Sequence, residues 1–208
     1  MSQPQPRTGY RLVLPPGWAR IPLRDGTEAA IREILDGALA TLGPDVPRDK
    51  VMPLRAELEK RLLAEARTAR GNEGIDLYLP VERVHGKTIA ASFVIGLLPF
   101  TSVEVPEAED VLVALAAQAD DARFVEVDGA GAVRWEERRD PEPAAADAAR
   151  QYASRRVVYV ITVPDERDIW LTATFGTVGD GDPDGEVARV LVELFDAVLS
   201  TFRWVRAA

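Results

Sequence analysis

"RRVVYVITVPDERDIWLTATF", residues 155–175, decides the fold. Two runs rich in β-branched and aromatic residues flank "PDER", which predicts two strands closed into a hairpin. A strand wetted on one face alternates apolar and polar residues. These runs carry apolar side chains at odd and even positions alike, with Trp170 opposite Ile169, Leu171 and Phe175. Such strands are covered on both sides.

The same property recurs upstream. "TIAASFVIGLL" (88–98) sets Ile89, Ala91, Phe93, Ile95 and Leu97 on one face and Ala90, Val94 and Leu98 on the other. It pairs with "IDLYLPVERV" (75–84) through "HGK", read as a three-residue hairpin loop whose glycine takes positive φ. "RFVEV" (123–127) and "AVRWEER" (132–138) flank the turn "DGAG". "YRLVL" (10–14) is a further strand, ended by the turn "PPGW" that carries Trp18.

Four helices are expected around these strands. Thr27 caps the first, where Ile31, Ile34, Leu35, Ala38, Leu39 and Leu42 recur at three- and four-residue spacing up to Gly43–Pro44. The second runs from about Asp49 to Arg70, with Val51, Leu54, Leu58, Leu62 and Ala66 inward and Glu57–Arg61 among its outward charge pairs. In the third, Glu107, Glu109 and Asp110 crowd the first turn, and Val111, Leu112, Leu115 and Ala119 are buried. The last places Val187, Val190, Leu191, Leu194, Phe195, Val198, Leu199 and Phe202 on one face, and Arg189, Glu193, Asp196 and Ser200 on the other. Residues 141–154 read either as a loose connection or as a short helix started by proline.

Hairpin-linked strands imply an antiparallel sheet, and a sheet apolar on both faces needs helices on both. The fold class is therefore α+β: an α/β/α sandwich with a mainly antiparallel sheet of six or seven strands and about four helices. Residues 1–9 form a flexible tail and 10–208 a single domain. The helices do not alternate singly with strands, which disfavours a doubly wound dinucleotide fold.

Composition narrows the chemistry. There is no cysteine, which excludes disulfides, thiolate metal sites, cysteine nucleophiles and a lipidated cysteine. A formal charge of −9 is concentrated between Glu104 and Asp147, where thirteen acids face four arginines; the remainder holds 21 of each sign. No stripe of basic residues exists to meet a phosphate backbone, so no nucleic acid partner is expected. No stretch approaches the ~20 apolar residues of a membrane span, and a soluble, cytoplasmic protein is expected.

"GDGDPDG" (179–185) poses the sharpest question about a site. Asp180, Asp182 and Asp184 match the first positions of an EF-hand loop, but position twelve is Leu191 where a glutamate is required. As a phosphate loop it lacks the Lys–Ser or Lys–Thr pair, and three aspartates repel an anion. The simplest reading is structural: the glycines turn the chain, and Asp182 or Asp184 caps the last helix with Pro183 in its first turn. A looser oxygen-ligand cation site of Asp180, Asp182, Asp184 and Glu186 stays open as the alternative.

His85, the single histidine, sits at a hairpin tip with no nucleophile elbow to complement it, and reads as a surface turn residue. Glu136–Glu137 and Asp120–Asp121 are adjacent acids that only a cleft would turn into acid–base pairs. No catalytic, cofactor-binding or metal-binding residue is assigned. Trp18, Trp135, Trp170 and Trp204 are expected to pack in the interior, and any pair exposed together would mark a partner surface.

"YRLVLPPGW" (10–18) and "ELFDAVLSTFRW" (193–204), with the hairpins between them, resemble the PsbP/Mog-like family, which includes actinobacterial lipoproteins of the LpqN type. The resemblance implies an α/β/α sandwich and action by binding other proteins, with no shared active-site motif to carry over. Two features depart from it: the helical pair over 27–70 is long, and no cysteine is present for the lipoprotein anchor. With only three lysines and many alanines and arginines, the composition also looks actinobacterial, a context in which such proteins accompany secretion. The expected function is thus a non-catalytic adaptor, assembly factor or chaperone that binds another protein. The alternative is an enzyme or small-ligand binder using a cleft between sheet and helices.

Overall fold

The computed structural model describes residues 8–40, 48–84, 86, 88–99, 107–119, 121–142 and 152–206. Its strands are β1 (Thr8–Arg11), β2 (Trp18–Pro22), β3 (Gly74–Pro80), β4 (Ala90–Pro99), β5 (Arg123–Val127), β6 (Ala130–Arg139), β7 (Ser154–Val163), β8 (Glu166–Gly179) and β9 (Arg203–Arg206). The helices are α1 (Thr27–Ala40), α2 (Arg48–Gly71), α3 (Ala108–Ala116) and α4 (Glu186–Ser200). Seven strands form one antiparallel sheet in the order β2-β3-β4-β8-β7-β6-β5, and β1 pairs with β9 in a separate ribbon. The chain is an α+β sandwich.

Burial on both faces of the central strands sorts the helices. Phe93, Ile95, Val157, Tyr159, Leu171, Ala173 and Phe175 pack with Leu191, Val192, Phe195 and Val198 of α4. Their sequence neighbours point the other way. Leu77 joins Ile31, Leu35 and Ala66 of α1 and α2, with Val94 packed alongside, while Val133, Val158, Val160 and Trp170 meet Leu112 of α3. One layer of α4 and an opposite layer of α1, α2 and α3 thus enclose the sheet, as period-two burial on both faces requires.

Several local expectations are corrected. The strand foreseen at 10–14 begins at Thr8 and ends at Arg11, so part of the presumed tail is paired, with Thr8 opposite Arg206. Trp18 opens β2, which pairs with β3 through Trp18↔Pro80, and Trp204 lies in β9 opposite Tyr10. Neither short strand shows enough alternation to declare itself. The β3–β4 connection spans 81–89 and not three residues; His85 and Lys87 lie outside the described residues. Residues 143–151, where a loose connection or short helix was expected, lie outside them too.

The Thr27 hydroxyl does not cap α1; it donates to the Pro22 carbonyl at 2.7 Å. On α2, Leu54 is exposed, and Arg55 pairs with Asp36 of α1 at 2.8 Å, while Arg61 meets Glu57 as the spacing predicted. Ala119 lies beyond the end of α3. Along α4 the buried face runs through Ala188, Leu191, Val192, Phe195, Val198 and Leu199, leaving Val187 and Val190 exposed. Rotation of the helix to seat Ala188 against Gly179 explains the shift: a Cβ at Gly179 would lie 3.3 Å from that of Ala188.

The ribbon is tied to the sheet by a buried polar cluster. Asp76, 3% exposed, accepts from the Tyr10 hydroxyl and from Arg20 Nε at 2.7 Å, and the Tyr10 and Tyr78 hydroxyls lie 2.9 Å apart. Tyr10 also stacks on Phe202 at 5.4 Å. Burial, reinforced by the Asp76 charge, raises both phenols, Tyr78 up to about 12 and Tyr10 further. A folded pKa above the unfolded value of about 10 gives stability that is complete below pH 10 and lost as pH rises through the folded values. The unfolding free energy from urea titrations is accordingly expected to fall between pH 10 and 12, at up to about 1.4 kcal/mol per pH unit for each phenol. Tyr10→Phe should flatten that slope; an equally steep slope in the variant would contradict this account.

Candidate ligand site

Between the area roofed by α1 and α2 and the area roofed by α3, no described helix covers the same face of the sheet. There β4, β8 and β7 floor a trough of about 850 Å³. Register builds its floor: Gly176 of β8 stands between Ser92 of β4 and Arg156 of β7, and the next row sets Thr174 between Val94 and Val158. Small side chains in the middle of the sheet leave the hollow. Arg139, Asp140, Glu142 and Tyr152 stand along its wall.

Gly176 is the informative floor residue. It lies inside a central strand, where glycine weakens pairing and marks either a bulge or a close approach by something else. Its backbone needs no positive φ, its own pairs are in register, the β4–β8 shift falling beyond Thr177, and an added Cβ would meet no described atom within 4 Å. Gly96, on the same face of β4, makes the contrast: its Cβ would stand 3.1 Å from the Glu73 carbonyl oxygen and from the Thr172 hydroxyl. Packing accounts for Gly96; the empty space above Gly176 has no protein occupant among the described residues.

Charge in the trough is arranged by depth. Glu137 and Arg156 are cross-strand partners. One Glu137 oxygen accepts from Arg156 at 2.9 Å and from Arg139 at 3.4 Å, so a single carboxylate is shared by two guanidiniums. Burial, and then the Arg139 charge, hold Arg156 below the ordinary guanidinium range, although it stays protonated. Asp140 and Glu142 are exposed at the rim.

The other sequence candidates are placed as follows. Glu136 and Glu137 point to opposite faces of β6. Glu136 accepts from Arg134 at 2.6 Å and from Arg155 Nε at 2.8 Å under α4. Desolvation alone would raise the Glu136 carboxyl, but those two arginines outweigh it and hold it below the ordinary range. They are therefore not an acid–base pair. Asp120 lies outside the described residues.

In the aspartate loop, Asp182 Oδ1 accepts the Asp184 amide at 2.9 Å, and Asp184 pairs with Arg138 of β6. The residue before α4 is Gly185, so neither aspartate caps that helix, and Pro183 lies ahead of it. Among the described residues no three acidic or histidine side chains come together as a metal-binding group. Trp170 is buried and Trp18, Trp135 and Trp204 are half-buried.

No family model matches the chain, and no curated protein matches it either. Among the described residues no helix is long and apolar enough to cross a membrane.

Sequence reasoning passed over the trough because its residues sit far apart, at 92, 156 and 176. The signal available was Gly176 interrupting an otherwise β-branched and aromatic run.

Proposed function

We propose that this protein is a binding protein that takes a small, largely apolar ligand into the trough across β4, β8 and β7. The observation that carries this reading is Gly176: a glycine in a central strand, free of backbone strain, beneath space that no described residue fills. The volume falls within the ~300–1,000 Å³ usual for small-molecule sites, and a few polar groups meet at one end of an apolar floor, as such sites require. A concavity in the sheet face between flanking helices supports the alternative expected from the sequence, a small-ligand cleft, over the adaptor. The half-buried or buried state of all four tryptophans gives no support to docking through grouped aromatics. The resemblance to the PsbP/Mog-like family still supports action by binding without chemistry, and a cytoplasmic site of action fits the cysteine-free composition.

The test uses a neutral apolar fluorophore, N-phenyl-naphthylamine, and the variant Gly176→Leu. The Cβ of a leucine there meets no described atom within 4 Å and its branch extends into the trough, so folding stability should change by less than about 1 kcal/mol. Saturable fluorescence enhancement in the wild type, abolished by Gly176→Leu with the melting temperature retained, is the expected result. Non-saturable enhancement, or full enhancement in the variant, would refute the trough as a binding site.

A further inference from the structure

We propose that the outer edge of β5 takes up an extended, basic segment of another protein as an added strand of the sheet. Topology makes the opening. β5 ends the seven-strand order, and no described strand pairs with its outer side. The Asp128–Gly129 turn, with φ of 49° and 80°, closes the β5–β6 hairpin at Val127↔Ala130. In a two-residue hairpin the closing pair is hydrogen-bonded, so Arg123, Val125 and Val127 turn their backbone groups to β6. Phe124 and Glu126 aim their N–H and C=O groups outward along the unpaired edge.

The opposite edge shows how this sheet closes one. Leu23 N–H donates to the Ile75 carbonyl, so Trp18, Arg20 and Pro22 of β2 face outward. Pro22 has no N–H to offer, and that of Trp18 goes to the Pro15 carbonyl at 3.3 Å. β5 carries no proline, lysine or register shift. At an outward position it presents Phe124, 61% exposed, where an edge that avoids partners places a charge. The trough lies two strands away, and this surface does not depend on a ligand there.

Charge selects the occupant. Phe124 and Glu126 share the α3 face of the sheet, since Phe124 pairs with Val133. Glu126 is exposed and meets no cation among the described side chains. A Cβ at Gly131, the residue opposite Glu126, would stand 3.5 Å from Leu112 Cδ1, so Glu109 and Asp110, within a turn of Leu112, lie near the same end. Asp128 is met by Arg203 at 3.6 Å, and the one cation of β5, Arg123, faces the other side of the sheet. A lysine or arginine therefore fits opposite Glu126, and an apolar side chain two residues on fits opposite Phe124. A second copy fits less well. Paired antiparallel about Val125, it sets Phe124 against Glu126 twice, gives Glu126 no cation and joins two chains of formal charge −9.

The capped peptide acetyl-TKVFVT-amide tests the inference, with affinity and site both read from the backbone amide resonances of the protein. Phe124 and Glu126 should shift saturably, and acetyl-TEVFVT-amide should bind about fivefold more weakly, a ratio that shrinks as salt is raised. N-methylation of the peptide's lysine removes a donor to the edge and should weaken binding about tenfold, whereas N-methylation of its first valine, whose N–H points away, should change it less than about twofold. Glu126→Lys should reverse the order of the lysine and glutamate peptides. Phe124→Pro should abolish binding with the melting temperature retained, because the N–H it removes has no partner within the sheet. No saturable shift at Phe124 and Glu126, or equal binding of the lysine-methylated peptide, overturns strand addition. Equal binding of the lysine and glutamate peptides overturns the basic partner, and so does a dimer in sedimentation that Phe124→Pro abolishes, which would give the edge to a second copy.

Discussion

Phe195→Ala is expected to lower stability by about 3–5 kcal/mol, the loss that emptying a buried aromatic site causes. Phe195 is where α4 enters the sheet. It is 2% exposed, stacked on Phe175 with centroids 5.0 Å apart, tilted against Phe93 at 5.4 Å and edge-on to Tyr159 at 5.8 Å. Aromatic contacts of this kind add to simple burial, and a rigid sheet beneath cannot collapse to fill the void. For a chain of this size each kcal/mol moves the melting point by roughly 2–4 °C, so a fall of about 10 °C is anticipated. Val190→Ala on the outer side of the same helix serves as the control. Exposed and better suited to a helix as alanine, it should shift stability by less than about 0.5 kcal/mol. Calorimetric melts of the two variants that agreed with each other would rule out α4 as the closing layer of the core.

Arg134→Met should cost about 2–4 kcal/mol by a different route. Arg134 is 5% exposed on the α4 side of β6. It donates to both oxygens of Asp196 on α4, at 3.1 and 2.9 Å, and to Glu136 at 2.6 Å, while Tyr159 donates to Asp196 at 2.7 Å. Removing one member of a buried ion pair strands the others, which is worse than never having had the pair. Asp196 keeps some contact with water and Glu136 keeps Arg155, which is why the figure lies below the usual upper range.

Acid adds a second readout. Glu136 is held below its ordinary range in the folded state, so its contribution is present above about pH 4.5 and disappears as pH falls through the folded value. Without Arg134 that depression shrinks. The stability difference between wild type and Arg134→Met, followed by urea unfolding, should therefore be widest near neutrality and narrow below pH 4. A gap that stayed constant into acid would refute the pairing.

Asp196 also shows how local pattern misleads. Read with Arg189, Glu193 and Ser200 as the wet face of the last helix, it turns inward because Arg134 waits on the sheet beneath it. A half-buried charge pair of that kind cannot be foreseen from one strand or one helix, since each half is costly to cover without the other. The acids of "GDGDPDG" behave likewise. Their spacing suggested a ligand set or a cap, whereas Arg138, 46 residues away, engages Asp184.

Period-two patterning with apolar residues on both faces, four amphipathic segments and hairpin turns were enough to settle an α+β sandwich, because alternation and helical spacing are local consequences of backbone geometry. Composition alone removed thiol chemistry. Strand order was not local. The pairing of β4 with β8 joins residues some 80 positions apart, and it adds Ser92 to the row that the β7–β8 hairpin starts with Gly176 and Arg156. The trough, its charge and the inward turn of Asp196 were therefore decided by tertiary structure, since a hollow exists only where distant strands meet and the helices above them part.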